Sequence, residues 1–142
     1  MRRLMLVLLL SSLSLPAAAE DIGSVNYRFK WLGPRDKIAI EAFDDPDVAG
    51  VTCYIARART GGIKGAFGVA EDPPYASISC QQVAPIDVSK LGKLKSPHEV
   101  FSERASLIFK TTQVVRFWDP KRKALVYLTY TCLLYTSDAA DE

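Results

Sequence analysis

The chain has 142 residues, of which 18 are Lys or Arg and 16 are Asp or Glu, for a formal net charge of +2 at pH 7. This charge is too small to indicate nucleic-acid binding, and no basic helix or arginine–aromatic ladder supports that function. The length and a hydrophobic content of 49% suit a single globular domain.

The first 19 residues have the three-part layout of a secretory signal peptide. Arg2 and Arg3 form the basic region, residues 4–15 are apolar except for three serines, and residues 17–19 are the small residues that signal peptidase reads. The apolar stretch has about a dozen residues, whereas a membrane span needs roughly 20. We therefore predict cleavage after Ala19 and a mature periplasmic protein with no stable membrane insertion.

Alternation of apolar and polar residues predicts a domain of about seven short strands. The clearest strand runs from Ser24 to Trp31, where every second residue is large and apolar. Gly, Pro and Asp separate the strands, which favours an all-β fold, either a single small antiparallel β-sandwich or a barrel-like domain. Gly62–Ala70 and Ile86–Leu94 are candidates for one or two short helices. The other predicted strands are Lys37–Phe43, Val51–Arg57, Tyr75–Val83, Arg104–Lys110, Val114–Trp118 and Lys123–Tyr130, the last two joined by a turn at Asp119–Arg122.

An acidic turn follows the second predicted strand. Asp44, Asp45 and Asp47 place three carboxylates within four residues, and Glu41 lies just upstream. Carboxylate oxygens are the ligands that calcium prefers, but the spacing is not that of a calcium-binding loop. Asp and Pro are also ordinary turn formers. We predict that Asp44, Asp45 and Asp47 contribute to a ligand-binding surface, and we assign no metal and no cofactor.

Two cysteines, Cys53 and Cys80, lie on predicted strands and share the face of the apolar residues on those strands. In an oxidising compartment such a pair is expected to form a structural disulfide. A redox-active pair is the alternative, but the two residues lack the Cys-x-x-Cys spacing that lowers a thiol pKa. The third cysteine, Cys132, belongs to the C-terminal segment discussed below.

A glycine-rich segment, Thr60 to Gly68, follows the third predicted strand. It lacks the Gly-x-x-x-x-Gly-Lys-Ser/Thr order of a nucleotide-binding loop. Glycines allow a tight turn or close backbone packing, and a loop on a β scaffold is also a common place for a ligand site. The candidate ligand-binding residues here are Gly61, Gly62, Lys64 and Gly65.

His98 is the only histidine of the chain. A Ser-His-Asp triad would need it, and no serine lies in a nucleophile-elbow sequence. We therefore predict that His98 lies in a surface loop and that the chain has no identifiable catalytic residue. Phe117 and Trp118 are consecutive, so on a strand they face opposite sides. Either one of them is exposed as an interaction surface or both are buried.

The last eleven residues, 132–142, resemble the translation of a sequencing adapter. We interpret this segment as an artefact and exclude it from the fold. The native domain is then expected to span residues 20–131 and to continue with residues that this chain does not contain.

Several short stretches carry a family resemblance: Asp21–Val25, Glu41–Val48, Val51–Tyr54, Thr60–Gly65, Ser79–Val83 and Gln113–Phe117. In these stretches the chain resembles the CreA family of bacterial periplasmic proteins, which is unrelated to the fungal repressor of the same name. The resemblance covers Glu20 to about Tyr130. It implies an exported protein, and the family has no established biochemical activity. Members of the family carry a further C-terminal segment, which residues 132–142 replace in this chain.

Two functions remain open at this point. The favoured one is a non-enzymatic binding or interaction module of the envelope, with an envelope protein or a small ligand as its partner. Its binding surface would combine the acidic turn and the glycine-rich loop at one end of the β domain. The alternative is a small periplasmic hydrolase that uses carboxylates such as Glu41, Asp44 and Asp45.

Overall fold

The computed structural model describes residues 18–29, 31–33, 35–62, 75–104 and 110–133. This part of the chain contains seven strands and one short helix. The prediction of an all-β domain with about seven strands is therefore confirmed. The strands are β1 (Glu20–Arg28), β2 (Asp36–Asp44), β3 (Val51–Arg59), β4 (Ala76–Gln82), β5 (His98–Arg104), β6 (Lys110–Asp119) and β7 (Ala124–Leu133), and helix α1 (Val88–Leu91) lies between β4 and β5.

The strands form two sheets in simple sequential order. β1 to β4 make a four-stranded sheet, and β5 to β7 make a three-stranded one. All neighbouring strands are antiparallel, so each sheet is a meander. The sheets stay separate and pack through their inner faces, which makes the fold a sandwich rather than a closed barrel.

The core lies between the inner faces of the two sheets. On β3, alternate residues point inward, and Ile55 has no exposed surface. The rings of Phe43 and Phe101 stack across the interface with their centroids 4.5 Å apart. Val114 on β6 is fully buried beside them. This alternation, with every second side chain inward, is what the sequence pattern predicted for β3. On β2, by contrast, the alternate isoleucines lie on the exposed face.

Cys53 and Cys80 face each other across β3 and β4. Their sulfur atoms are 2.07 Å apart, which is the distance of a disulfide bond. The bond lies within the hydrophobic core, where Cys53 has no exposed surface. It joins two strands of the same sheet and leaves the second sheet to be held by packing and by ion pairs.

Strand β5 lies earlier in the chain than we predicted. It covers His98–Arg104, and residues 105–109 of the predicted Arg104–Lys110 strand lie outside the described residues. The register of β5 against β6 shifts between Glu99 and Phe101, and the consecutive residues Val100 and Phe101 are both buried. This irregularity removes the period-two alternation on which strand prediction depends.

Strand β1 (Glu20–Arg28) overlaps the predicted strand Ser24–Trp31 but begins and ends earlier in the chain, and its apolar residues are not buried. It is the edge strand of the four-stranded sheet, and all nine of its residues are exposed. Alternation therefore indicated the strand without indicating burial.

The remaining predictions about regular structure concern the helices and the chain ends. Helix α1 lies inside the predicted segment Ile86–Leu94, whereas only Gly62 of the segment Gly62–Ala70 is described.

No helix in the described ranges is long and apolar enough to cross a membrane, and residues 1–17 lie outside those ranges. β7 includes Cys132 and Leu133, while residues 134–142 are not described, so the adapter interpretation of that segment stays a prediction.

Candidate functional site

The turn between β2 and β3 is organised around the side chain of Asp45. This carboxylate accepts hydrogen bonds from the backbone N–H groups of Asp47 (2.9 Å) and Val48 (3.1 Å). Such bonds explain why Asp is common in tight turns. The Asp45 side chain is 0% exposed. It therefore closes the turn from inside the sandwich rather than from the surface.

Gly50 fixes the position of this turn against the end of β4. Its φ of +93° lies in the region that favours glycine. A Cβ atom at this position would lie 2.7 Å from the carbonyl oxygen of Ala84. The Gly50 carbonyl also accepts a hydrogen bond from the N–H of Val83 at 2.8 Å. The close approach of the two backbones requires a residue without a side chain.

Arg116, on β6 of the opposite sheet, compensates the charge of Asp45. Its guanidinium donates to the Asp45 carboxylate at 2.5 Å and to the Asp47 carboxylate at 3.0 Å. Burial, which leaves Arg116 1% exposed, opposes its charged form. The hydrogen bonds and charges of the two aspartates outweigh burial and raise the pKa of Arg116 above its usual value. An ion pair that stays charged thus joins the two sheets.

Two further side chains complete this group. The Tyr127 hydroxyl donates to Asp45 at 2.7 Å, and His98 Nε2 lies 3.3 Å from Asp47 Oδ2. Burial, together with the hydrogen bond to Asp45 and its charge, raises the pKa of the Tyr127 phenol above its usual value. We call Asp45, Asp47, His98, Arg116 and Tyr127 the Asp45 cluster. The predicted loop position of His98 is wrong, because this residue begins β5 and lies opposite Arg116.

A second group of charges lies between the sheets, and we call it the Arg57 cluster: Glu41, Arg57, Arg59 and Glu103. Arg57 is buried and donates to Glu41 and, at 2.6 Å, to Glu103. Arg59 donates to the same two carboxylates, at 2.9 Å to Glu41 and 3.3 Å to Glu103. Two positive and two negative charges therefore neutralise one another across the interface between β2, β3 and β5.

The described start of the glycine-rich segment, residues 60–62, lies at the other end of the β2–β3 hairpin from the acidic turn. The N–H of Gly61 donates to Asp36 at 2.7 Å, where β2 begins. Lys37 pairs with Arg59 at this end, whereas Asp44 pairs with Thr52 at the turn. Seven strand steps of about 3.3 Å separate the two ends, or about 23 Å. Gly61 therefore does not share a surface with the acidic turn, whereas residues 63–68 of the segment lie outside the described residues. The expectation that the whole segment and the turn form one surface stays a prediction.

The predicted site residues fall into different environments. Asp44 is exposed and accepts a hydrogen bond from Thr52 Oγ1 at 2.6 Å, Asp47 reaches the surface beside His98, and Asp45 is buried. Gly61 and Gly62 are buried, and Lys64 and Gly65 lie outside the described residues. Within the described ranges, no three His, Cys, Asp or Glu side chains are grouped so that they would hold a metal ion.

Arg116 and Tyr127 are the residues of the Asp45 cluster that sequence reasoning missed. Both occupy inward positions, since Arg116 lies two residues after the buried Val114 and opposite Tyr127. An arginine at an inward position of a strand needs a carboxylate partner, which is a usable signal for a buried ion pair. The signal does not say which of the 16 acidic residues is that partner.

The outer face of the three-stranded sheet carries an apolar surface that we call the outer stripe: Phe117, Val126, Leu128 and Tyr130. These side chains are between 37% and 50% exposed. Phe117 pairs with Val126 across β6 and β7, and the alternation of β7 places the other two on the same face. Trp118 points inward and packs against the core, so only Phe117 of this consecutive pair belongs to the outer surface.

Comparisons with known proteins identify the family of this chain. A family model described as CreA protein matches residues 22–140. The Protein CreA of Escherichia coli strain K12 is 56% identical over 133 residues, which is 92% of this chain and 84% of the relative. The Protein CreA of Escherichia coli O157:H7 matches with the same identity and coverage. No solved structure gives a significant match. The predicted resemblance is confirmed, and the chain belongs to the CreA family.

Proposed function

We propose that this protein is an exported, non-enzymatic binding module of the bacterial envelope. The observation that carries this proposal is the contrast between its interior and its surface. Between the sheets, the charged side chains form ion pairs within the Asp45 cluster and within the Arg57 cluster. The outer stripe, by comparison, presents large apolar side chains to water. Contiguous exposed apolar surface is characteristic of a protein–protein contact.

Export is supported by two features of the chain. The first 19 residues have the layout of a cleavable signal peptide. The Cys53–Cys80 bond is of a kind that persists in oxidising compartments such as the periplasm.

The outer stripe lies beside the outermost described strand of the three-stranded sheet, which suggests how a partner would bind. Among the strands that the structure describes, β7 lies at the edge of this sheet, and an edge strand presents backbone groups that pair with an added strand. An extended apolar segment of another envelope protein would add to β7 and cover Val126 and Leu128. This is the partner class that the proposal specifies.

A carboxylate-based hydrolase is less well supported. A general acid or base must come within hydrogen-bonding reach of its substrate. Asp45 is buried, and Glu41 is engaged by Arg57 and Arg59. Of the carboxylates considered for that role, Asp44 is the exposed one, and it already accepts a hydrogen bond from Thr52.

The test is affinity capture from a native envelope fraction, followed by mass spectrometry. Wild-type protein is compared with a double variant of the outer stripe, Val126→Ser with Leu128→Ser. Val88→Ser changes an exposed apolar residue on α1 and is the matched control. We expect one reproducible partner with wild type and with Val88→Ser and its loss with the double variant, at unchanged melting temperature.

Two results would contradict the proposal in different ways. Loss of the partner in Asp44→Ala, with retention in the outer-stripe variant, would move the binding surface to the acidic turn. Absence of any partner, together with a turnover that disappears in Asp44→Ala, would replace the binding module with an enzyme.

A further inference from the structure

The connection between β1 and β2 exposes large apolar side chains at the end of the hairpin. Trp31 is 92% exposed, Leu32 70% and Phe29 66%. The Phe29 and Trp31 rings lie edge to face with their centroids 6.5 Å apart. Three large apolar side chains within four residues are an unusual exposed group for a soluble protein. We call residues 28–37 the hairpin tip, of which the structure describes all but residues 30 and 34.

The exposed charge of the hairpin tip is positive. The Arg35 guanidinium lies 5.0 Å from the centroid of the Phe29 ring. The Arg28 side chain is exposed, and its Nε lies 3.9 Å from Asp36 Oδ2. The sequence adds Lys30 and Lys37, and Asp36 is the one acidic residue between 28 and 37. Asp36 is buried and accepts a hydrogen bond from the N–H of Gly61. Its carboxylate compensates part of the charge of Arg28. Four basic residues against one acidic residue still leave residues 28–37 with a net charge of +3.

We propose that the hairpin tip docks on an anionic phospholipid surface. Tryptophan is enriched at membrane–water interfaces because its ring is apolar and its N–H is polar. Phe29 and Leu32 would enter the boundary between headgroups and acyl chains, while Arg28 and Arg35 meet lipid phosphates. The apolar side chains and the positive charges lie on the same short segment, as such docking requires.

A membrane surface fits the tip better than a protein groove does. Arginine retains its charge and binds phosphate oxygens bidentately, and the ring stacking with Phe29 leaves that charge at the surface. The segment is far too short to span a bilayer, so the contact is peripheral. The tip and the outer stripe belong to different sheets, and each proposal can fail without the other.

The test measures binding to vesicles by co-sedimentation and by tryptophan emission. Vesicles of phosphatidylglycerol mixed with phosphatidylcholine are compared with vesicles of phosphatidylcholine alone. Residues 4–15 would bind lipid themselves, so the protein is isolated after export and its N-terminus is checked by mass spectrometry. We expect binding to the anionic vesicles, weakened by salt because exposed charges are screened.

Variants separate the electrostatic and the apolar contributions. Each basic residue near an anionic membrane strengthens binding about fivefold, so Arg28→Gln with Arg35→Gln is expected to weaken it about 25-fold. Trp31→Ser is expected to weaken it at least about tenfold, because burial of the indole is lost. Trp31→Phe keeps an apolar ring and should keep most of the binding. The blue shift of the emission should disappear, because the remaining tryptophan, Trp118, packs against the core on the other sheet.

Arg122→Gln and Val88→Ser are the matched controls, since both residues are exposed and lie outside the hairpin tip. They should bind vesicles like the wild type. Equal binding to both vesicle types, no binding to either, or equal loss in the controls would overturn the proposal. So would a wild-type dimer that becomes monomeric in Trp31→Ser, because a second copy of the chain would then cover the tip.

Discussion

The Asp45 cluster and the Arg57 cluster both place charges between the sheets, but they compensate those charges differently. A single buried carboxylate, that of Asp45, accepts hydrogen bonds from one arginine, two backbone N–H groups and a phenol. In the Arg57 cluster two arginines share two glutamates, and the Glu103 side chain is 38% exposed. Water and alternative partners can replace a lost contact in the second cluster. They cannot do so around Asp45, so the first cluster is expected to be the more sensitive to substitution.

Replacing Asp45 should have the largest effect on stability. Asp45→Ala leaves the buried guanidinium of Arg116 with only the partly exposed Asp47, and it removes the acceptor that closes the turn. We expect a loss of about 4 kcal/mol in the free energy of unfolding, measured with urea at pH 7. Asp44→Ala is the control, because this neighbouring carboxylate is exposed, and it should cost less than about 1 kcal/mol. Equal losses in the two variants would show that burial of Asp45 does not determine its contribution.

Replacing Tyr127 should have an intermediate effect that depends on pH. Tyr127→Phe removes a donor to a buried carboxylate and should cost about 1–2 kcal/mol at pH 7. The pKa of Tyr127 is raised in the folded state, so its contribution is fully present below the ordinary tyrosine pKa of about 10. Above that pH the unfolded chain releases the proton first, and the stability of the wild type falls by at most about 1.4 kcal/mol per pH unit.

The advantage of the wild type over Tyr127→Phe should therefore shrink between pH 9 and pH 11. The measurement is the difference between the two urea-unfolding curves at each pH, in which the other titrating groups cancel. A constant difference would contradict the hydrogen-bonded, buried environment of this phenol.

Replacing Glu103 should have the smallest effect of the three. Glu103→Gln leaves both arginines with Glu41, and water reaches the substituted position. We expect a cost of about 1 kcal/mol. Glu99→Gln is the matched control, because this exposed glutamate lies on the same strand and should change stability by less than about 0.5 kcal/mol. A loss in Glu103→Gln as large as that in Asp45→Ala would make the two clusters equivalent.

Much of the fold could be predicted because strand patterns are local. Alternation in β3 and the inward cysteines were visible in windows of fewer than ten residues. The strand His98–Arg104 was not predicted, because its irregular pairing buries two consecutive residues, Val100 and Phe101. For β1 the alternation predicted a strand, but it did not predict that the strand is exposed. Exposure follows from its position at the edge of the sheet, which depends on how the whole domain packs.

Less of the candidate site could be predicted, because its contacts join distant parts of the chain. The acidic turn was recognised, yet Arg116 lies 71 residues after Asp45 and no local pattern connects them. The glycine-rich segment was recognised too, but the distance of Gly61 from the turn depends on the register of β2 against β3. Exposure of Trp31 likewise depends on what packs against β1 rather than on the residues around it.

The ion pair between Asp45 and Arg116 has a consequence for the order in which the domain is completed. A chain delivered N-terminus first presents β1 to β4 well before residue 116 arrives. Until then the Asp45 carboxylate needs water, and the turn that it closes cannot enter a dry interface. The first meander can pair its strands early, but it reaches its native packing only when the second meander supplies the arginine. The two sheets should therefore unfold in one cooperative transition.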